Sequence, residues 1–181
     1  LEDLSFHILD IVENGIEAGA TSINIFIEED IKEDILTMTV EDNGQGMEGY
    51  LIKNAFDPFV TTRKTRRVGL GLPLLYESAR IAGGDVRIES EPGRGTKVTA
   101  TFQHSHIDRK PLGNIAQTLL TLIAGNPQIE FRYEHKRDGQ SFVLDTSMIK
   151  KELGDIPINN PEVIRFIKEY IDEGLKGLQG S

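Results

Sequence analysis

Asp10 and Asn14 stand four residues apart in Asp10-Ile-Val-Glu13-Asn14-Gly15-Ile-Glu17-Ala18, a spacing that places both on one face of a helix. A carboxylate and an amide oxygen so arranged could hold a hard cation and its water, although the same residues also make an ordinary acidic, solvated helix start. Further on, Asp42-Asn43-Gly44-Gln45-Gly46-Met47 sets a carboxylate among glycines. The carboxylate could accept a hydrogen bond from an exocyclic amine while the glycines let a flat ring approach the backbone, and Asn-Gly equally reads as a tight turn. In Asp57-Pro58-Phe59-Val60-Thr61-Thr62-Arg63-Lys64, two hydroxyls and two cations suit phosphate oxygens or simply form a solvated basic loop. Gly69-Leu70-Gly71-Leu72 leads into a helix, where amide hydrogens and the positive helix end could face phosphate; it is neither a P-loop nor a GxGxxG turn.

These segments need elements to position them. Leu4, Ile8, Leu9, Val12 and Ile16 predict an amphipathic helix over 3–18, stopped by Gly19. Strands follow at Ile23 to Ile27 and Ile35 to Val40, as a hairpin around a polar turn. Residues 43–71 read as a long irregular segment holding at most one short helix near 49–55, and a second helix is predicted over 72–82 before Gly83-Gly84. A second hairpin, 86–90 and 96–102, turns at Glu91-Pro92-Gly93-Arg94-Gly95. Beyond Phe102 the pattern predicts a helix at 111–124, strands at 129–134 and 141–145, and a terminal helix from Pro161 to about Leu175.

The chain has 181 residues, 38% hydrophobic and 27% charged, which excludes collagen-like, low-complexity and wholly disordered chains. It has no cysteine, so disulfide scaffolds, thiolate metal sites and cysteine catalysis are excluded, and a reducing cytoplasmic location is the expectation. The longest apolar stretch, Leu119 to Ala124 with Thr121 inside it, falls far short of the ~20 residues of a membrane span, so no membrane partner is expected. The first residues carry no basic stretch, and no signal peptide is expected. A net charge of −9 argues against a nucleic-acid backbone binder.

Taken in order, the four segments resemble the N, G1, F and G2 boxes of the GHKL superfamily, which holds DNA gyrase B, ninety-kilodalton heat-shock chaperones, histidine kinases and MutL. The opening ENGIEAGATSINI looks most like MutL; DPFVTTR and GLGLPLLYESARIAGGDVRIESEPGRGTKVTATF look most like a histidine kinase. The resemblance covers residues 7–102 and implies a two-layer α/β (α+β) sandwich of the Bergerat type, with a mixed, mainly antiparallel sheet covered by helices on one face. It implies ATP or ADP and Mg2+ as cofactors. By that resemblance Asn14 matches the magnesium ligand and Asp42 the aspartate that recognises the adenine amino group. Gly44, Gly46 and Met47 match the base-pocket floor, and Ala18 the small residue beside the ring. Thr61, Thr62, Arg63 and Lys64 match the lid, Gly69, Leu70, Gly71 and Leu72 the phosphate loop, and Thr96 a threonine that joins Asp42 and a water at adenine.

Asp10 departs from the pattern. It stands where ATP-hydrolysing members carry a glutamate that orients the attacking water, one methylene longer, so slow hydrolysis is expected. His7, one turn earlier, reads as a partly exposed helix histidine, with orientation of Asp10 as the other reading. His104 and His106 read as solvated, with metal binding as the other reading. Only six residues precede His7, without a phosphoacceptor histidine, so autophosphorylation in the histidine-kinase manner is not expected from this chain. The expected function is a Mg-dependent ATP-binding module acting as a slow ATPase, a nucleotide switch or a kinase on a partner protein; the alternative is a non-catalytic interaction module.

The expected division is an ATP-binding core at 1–102 and a C-terminal helix-hairpin-helix extension at 103–181. By the resemblance, a strand and helix are expected before the N-box helix; the sequence opens on that helix, and residues 111–146 are expected to supply the sheet edge or its cover. Were the hairpin an appendage instead, Phe131 and Tyr133 would be exposed.

Overall fold

The computed structural model describes residues 3–59 and 71–179. Helix α1 (Leu4–Glu17) opens on Asp3, whose carboxylate accepts the Phe6 N–H as an N-cap. It is followed by β1 (Ser22–Asp30), β2 (Ile35–Asp42), the short α2 (Gly49–Lys53), α3 (Gly71–Ile81), β3 (Asp85–Glu91) and β4 (Gly95–Gln103). The C-terminal part adds α4 (Ile115–Gly125), β5 (Glu130–Arg137), β6 (Gln140–Asp145), α5 (Thr146–Leu153) and α6 (Pro161–Gln179).

The strands form one six-stranded sheet in the order β3-β4-β2-β1-β5-β6. Every neighbouring pair is antiparallel except β1 and β5, which run parallel with Ile23 opposite Phe131. Strand alternation sends Ile23, Ile25, Ile27, Leu36, Met38, Val40, Val98, Ala100 and Phe102 toward the helices, where all are buried. The other face carries Asn24, Thr37, Thr39, Lys97, Thr99 and Arg132, as expected of a sheet covered on one side.

Strand β5 pairs with β1 along Ser22 to Glu29, and Phe131 and Tyr133 are 2% and 1% exposed. The linker before α4 also holds the start of α1: Leu4 and Ser5 N–H groups donate to the Pro111 and Leu112 carbonyls at 2.9 Å each. These bonds satisfy amides that a helix start leaves without intrahelical partners.

Helix α5 is absent from the sequence prediction, because its turns carry Lys150, Lys151 and Glu152 and bury little. Local chemistry starts it directly from β6: Asp145 accepts the Ser147 N–H at 2.9 Å, and Thr146 Oγ1 accepts the Phe131 N–H at 2.8 Å. No helix among the described residues is long and apolar enough to cross a membrane.

Candidate functional site

Sheet register brings the first group of site residues into one row. Asp42 is opposite Thr96 and Ile23, and Ser90 is opposite Thr96; because Ile23 points to the helices, so do Ser90, Thr96 and Asp42. The Asp42 carboxylate accepts the Gly44 N–H at 2.8 Å. Burial pushes its pKa up from the ordinary carboxylate value, and the Gly44 and Thr96 N–H groups pull against that rise. A carboxylate so desolvated, with oxygen lone pairs to spare, is a strong acceptor for an amine hydrogen.

Close packing at this acceptor demands small residues. A Cβ on Gly15 would lie 3.0 Å from the Asp42 carboxylate, and one on Gly44 would lie 2.9 Å from Ala18 Cβ. Gly46 adopts φ 73° against the Glu91 carbonyl, and Gly95 adopts φ 114° against the Asp42 carbonyl, so each needs both the left-handed backbone and the missing side chain. Asn43 pins the same turn to β1: its Oδ1 accepts the Thr21 and Ser22 N–H groups at 2.9 and 3.0 Å.

Ser90 is the residue that sequence reasoning missed. Its hydroxyl accepts the Met47 N–H at 2.8 Å, donates to the Gly95 carbonyl at 2.8 Å and lies 2.9 Å from Thr96 Oγ1. One side chain thus ties the Gly44 to Met47 turn to the start of β4. The register with Thr96 could have pointed to it, since a strand serine facing inward at the end of a hairpin needs a polar partner.

The second group lies along α1. Asn14 is half-buried and Asp10 exposed, on the face that meets the start of α3: a Cβ on Gly71 would come within 3.4 Å of Asp10 Cβ and 3.9 Å of Asn14 Nδ2. The first residue of α3 therefore abuts the two polar side chains of α1, and Leu72 follows it half-buried against the core. Phe56, shortly after α2, stacks on Tyr76 of α3 at 4.7 Å between ring centroids. Thr61, Thr62, Lys64, Gly69 and Leu70 lie outside the described residues.

Two histidine expectations change. His7 is 3% exposed, buried rather than on the helix surface. His104 is not solvated: its Nε2 lies 2.9 Å from Glu29 Oε1. His106 Nδ1 accepts the Asp108 N–H at 3.1 Å, and no cluster of three metal-ligating side chains occurs among the described residues.

Asp42 with its glycine-lined turn, opposite the Asp10 and Asn14 face of α1, can take a flat amine-bearing ring at one end and an anion with its cation at the other. The sheet with helices on one face and this arrangement define an ATP-binding α/β module. The chain belongs to the histidine kinase-, DNA gyrase B- and HSP90-like ATPase family, whose model matches residues 2–106.

Among its relatives, the tetrathionate sensor histidine kinase TtrS of Salmonella typhimurium is 35% identical over 101 residues, covering 54% of this chain and 17% of that protein. Sporulation kinase D of Bacillus subtilis is 35% identical over 95 residues, covering 52% of this chain and 19% of that protein. The matching part thus spans under a fifth of either relative. A crystal structure of the N-terminal domain of a DNA repair protein shares the fold, with TM-score 0.53 and 18% identity over 80% of this chain and 53% of that one.

Proposed function

We propose that the chain binds an adenine nucleotide with magnesium and uses it either as a slowly hydrolysed switch ligand or as phosphoryl donor to a partner protein. The observation that carries this reading is the placement of Asp42 against Gly15, next in sequence to Asn14, so that an amine acceptor and a cation ligand flank one small residue of α1. Asp42 accepts the adenine amine, Gly44, Gly46, Met47 and Ala18 form the base pocket, and Thr96 supports Asp42. Asn14 holds the magnesium, whose charge offsets that of the phosphates when bound. Gly71 and Leu72 bring the start of α3 to the phosphates, where its amide hydrogens and positive end favour anions. The family resemblance adds Thr61, Thr62, Lys64, Gly69 and Leu70 as lid and phosphate-loop contacts.

Asp10 acts as the base that orients the attacking nucleophile. Being shorter than glutamate by one methylene, it positions a water poorly, which supports slow turnover or a nucleophile brought by a partner. The extension 103–181 forms one structural unit with the core, its β5 covering the edge of β1.

Incubating the protein with magnesium and labelled ATP, then separating free phosphate from phosphoprotein, tests the reading. Slow phosphate release that Asp10→Asn lowers by at least about tenfold, with nucleotide binding retained, is the expected result. Turnover unchanged in Asp10→Asn would instead support a non-catalytic module with a vestigial site.

A further inference from the structure

The extension presents an apolar groove far from the nucleotide residues in sequence. It holds about 390 Å3 between α5 and α6, floored by Ile149, Leu153 and Val163, walled by Phe166, and bordered by Glu152 and Glu162. That volume has room for a few aliphatic side chains. Phe166 is 61% exposed although its neighbours in α6, Val163 and Ile167, are buried, so its ring belongs to the groove rather than to the core. Met148 and Ile156, on α5 and in the turn after it, are also exposed large apolar residues.

The charged side chains that line the groove have one sign. Both charged residues that line it among the described residues are glutamates. Along α6, Glu162, Phe166, Glu169 and Glu173 recur at the spacing of one helical face, so acidic side chains accompany the exposed ring. Of the nearby cations, Lys150 lies 3.6 Å from Glu130 and donates to the Ile129 carbonyl, Lys168 lies 2.9 Å from Asp172, and the exposed Lys151 and Arg165 are not among the side chains that line the groove.

We propose that this groove docks an amphipathic helix of a partner protein whose apolar ridge is flanked by lysine or arginine. The apolar side chains enter between α5 and α6 beside Phe166, and the basic flanks meet Glu152 and Glu162. Helix-in-groove recognition takes its affinity from such buried anchors, and its orientation and partner choice from charges at the rim.

Two labelled helical peptides with the same leucine ridge, one flanked by lysine and the other by glutamate, are titrated into the full chain without nucleotide and followed by fluorescence anisotropy. The lysine peptide is expected to bind at least about tenfold more tightly, Phe166→Ala to lose that binding, and Glu152→Lys with Glu162→Lys to invert the preference. Thermal melting of each variant checks that it is folded, and the charge variants carry the test should Phe166→Ala not fold. Binding of neither peptide, equal binding of both, or an unchanged preference in the charge variant overturns the proposal. Self-association in sedimentation equilibrium that Phe166→Ala abolishes also overturns it, in favour of a second copy of the chain. Because no nucleotide is present, the outcome is independent of the reading of the ATP site.

Discussion

A Cβ placed on Gly15 would lie 3.0 Å from both Cβ and Oδ2 of Asp42, so a helix residue and the end of a β-strand meet with no space for a methyl group. Glycine inside a helix costs about 1 kcal/mol relative to alanine, so α1 is locally weakened where it passes the carboxylate. Gly15→Ala therefore sets a gain in helix propensity against a forced shift of Asp42. Chemical denaturation is expected to show a stability change within about 1 kcal/mol, while calorimetry shows nucleotide affinity falling about tenfold or more.

Ser90→Ala removes the acceptor of the Met47 N–H and the donor to the Gly95 carbonyl. Losing such a bond costs about 1–2 kcal/mol, and more than that when the amide left behind stays buried. Since Ser90 touches the turn rather than the Asp10 face of α1, steady-state kinetics are expected to show KM for ATP rising several-fold, with kcat changed little.

Glu29, 7% exposed, lies at the opposite end of the sheet and joins the core to the extension. Its Oε2 is 2.7 Å from His135 Nε2 on β5, its Oε1 is 2.9 Å from His104 Nε2, and His135 Nδ1 lies 2.9 Å from the Tyr133 hydroxyl. Burial alone would raise the Glu29 pKa, but the hydrogen bonds from His135 and His104 and the charge of Arg137 outweigh it and bring it down to about 2. A depressed carboxyl stabilises the fold fully above its unfolded value near 4.5 and loses that contribution as pH falls toward about 2. Denaturation at a series of pH values is expected to show wild type losing on the order of 3 kcal/mol more than Glu29→Gln across that window. Parallel pH curves for the two proteins would remove Glu29 from the account of acid sensitivity.

The same residues show which parts of the molecule a sequence exposes. Strand alternation from Ile23 to Ile27 and the glycines around Asp42 are local patterns that predict the strands and the turn, whereas the association of Asp42 with the helix of Asn14 followed from the family resemblance and not from spacing. Glu29 and His135 are far apart in the chain, and their pairing follows from β5 running parallel to β1, which no turn dipeptide or periodicity announces. His104 read as solvated because its contact with Glu29 reaches from the end of β4 across β2 to β1, a sheet order that local spacing does not show. Ser90 carries its role through two contacts across its own hairpin, to Gly95 and Thr96, and one to Met47 in the distant turn after β2; only the register with Thr96 hints at it in the sequence. Helix α5 escaped because it is only two turns long, fully buries only Thr146 and starts from the Asp145 cap rather than from a long hydrophobic periodicity.

The Asp42 carboxylate decides the central claim. One oxygen accepts the Gly44 N–H and the carboxylate keeps acceptor capacity for an adenine amine, whereas asparagine offers one oxygen and a donor. Because burial raises the Asp42 pKa, the ionised group costs stability as pH rises through its folded value, so Asp42→Asn is expected to be at least as stable as wild type at neutral pH. Titration calorimetry of wild type and Asp42→Asn with magnesium and ATP is the direct test. The account predicts that the variant, still folded, loses affinity by at least about tenfold, or 1.4 kcal/mol. Equal affinity in the two proteins would contradict it.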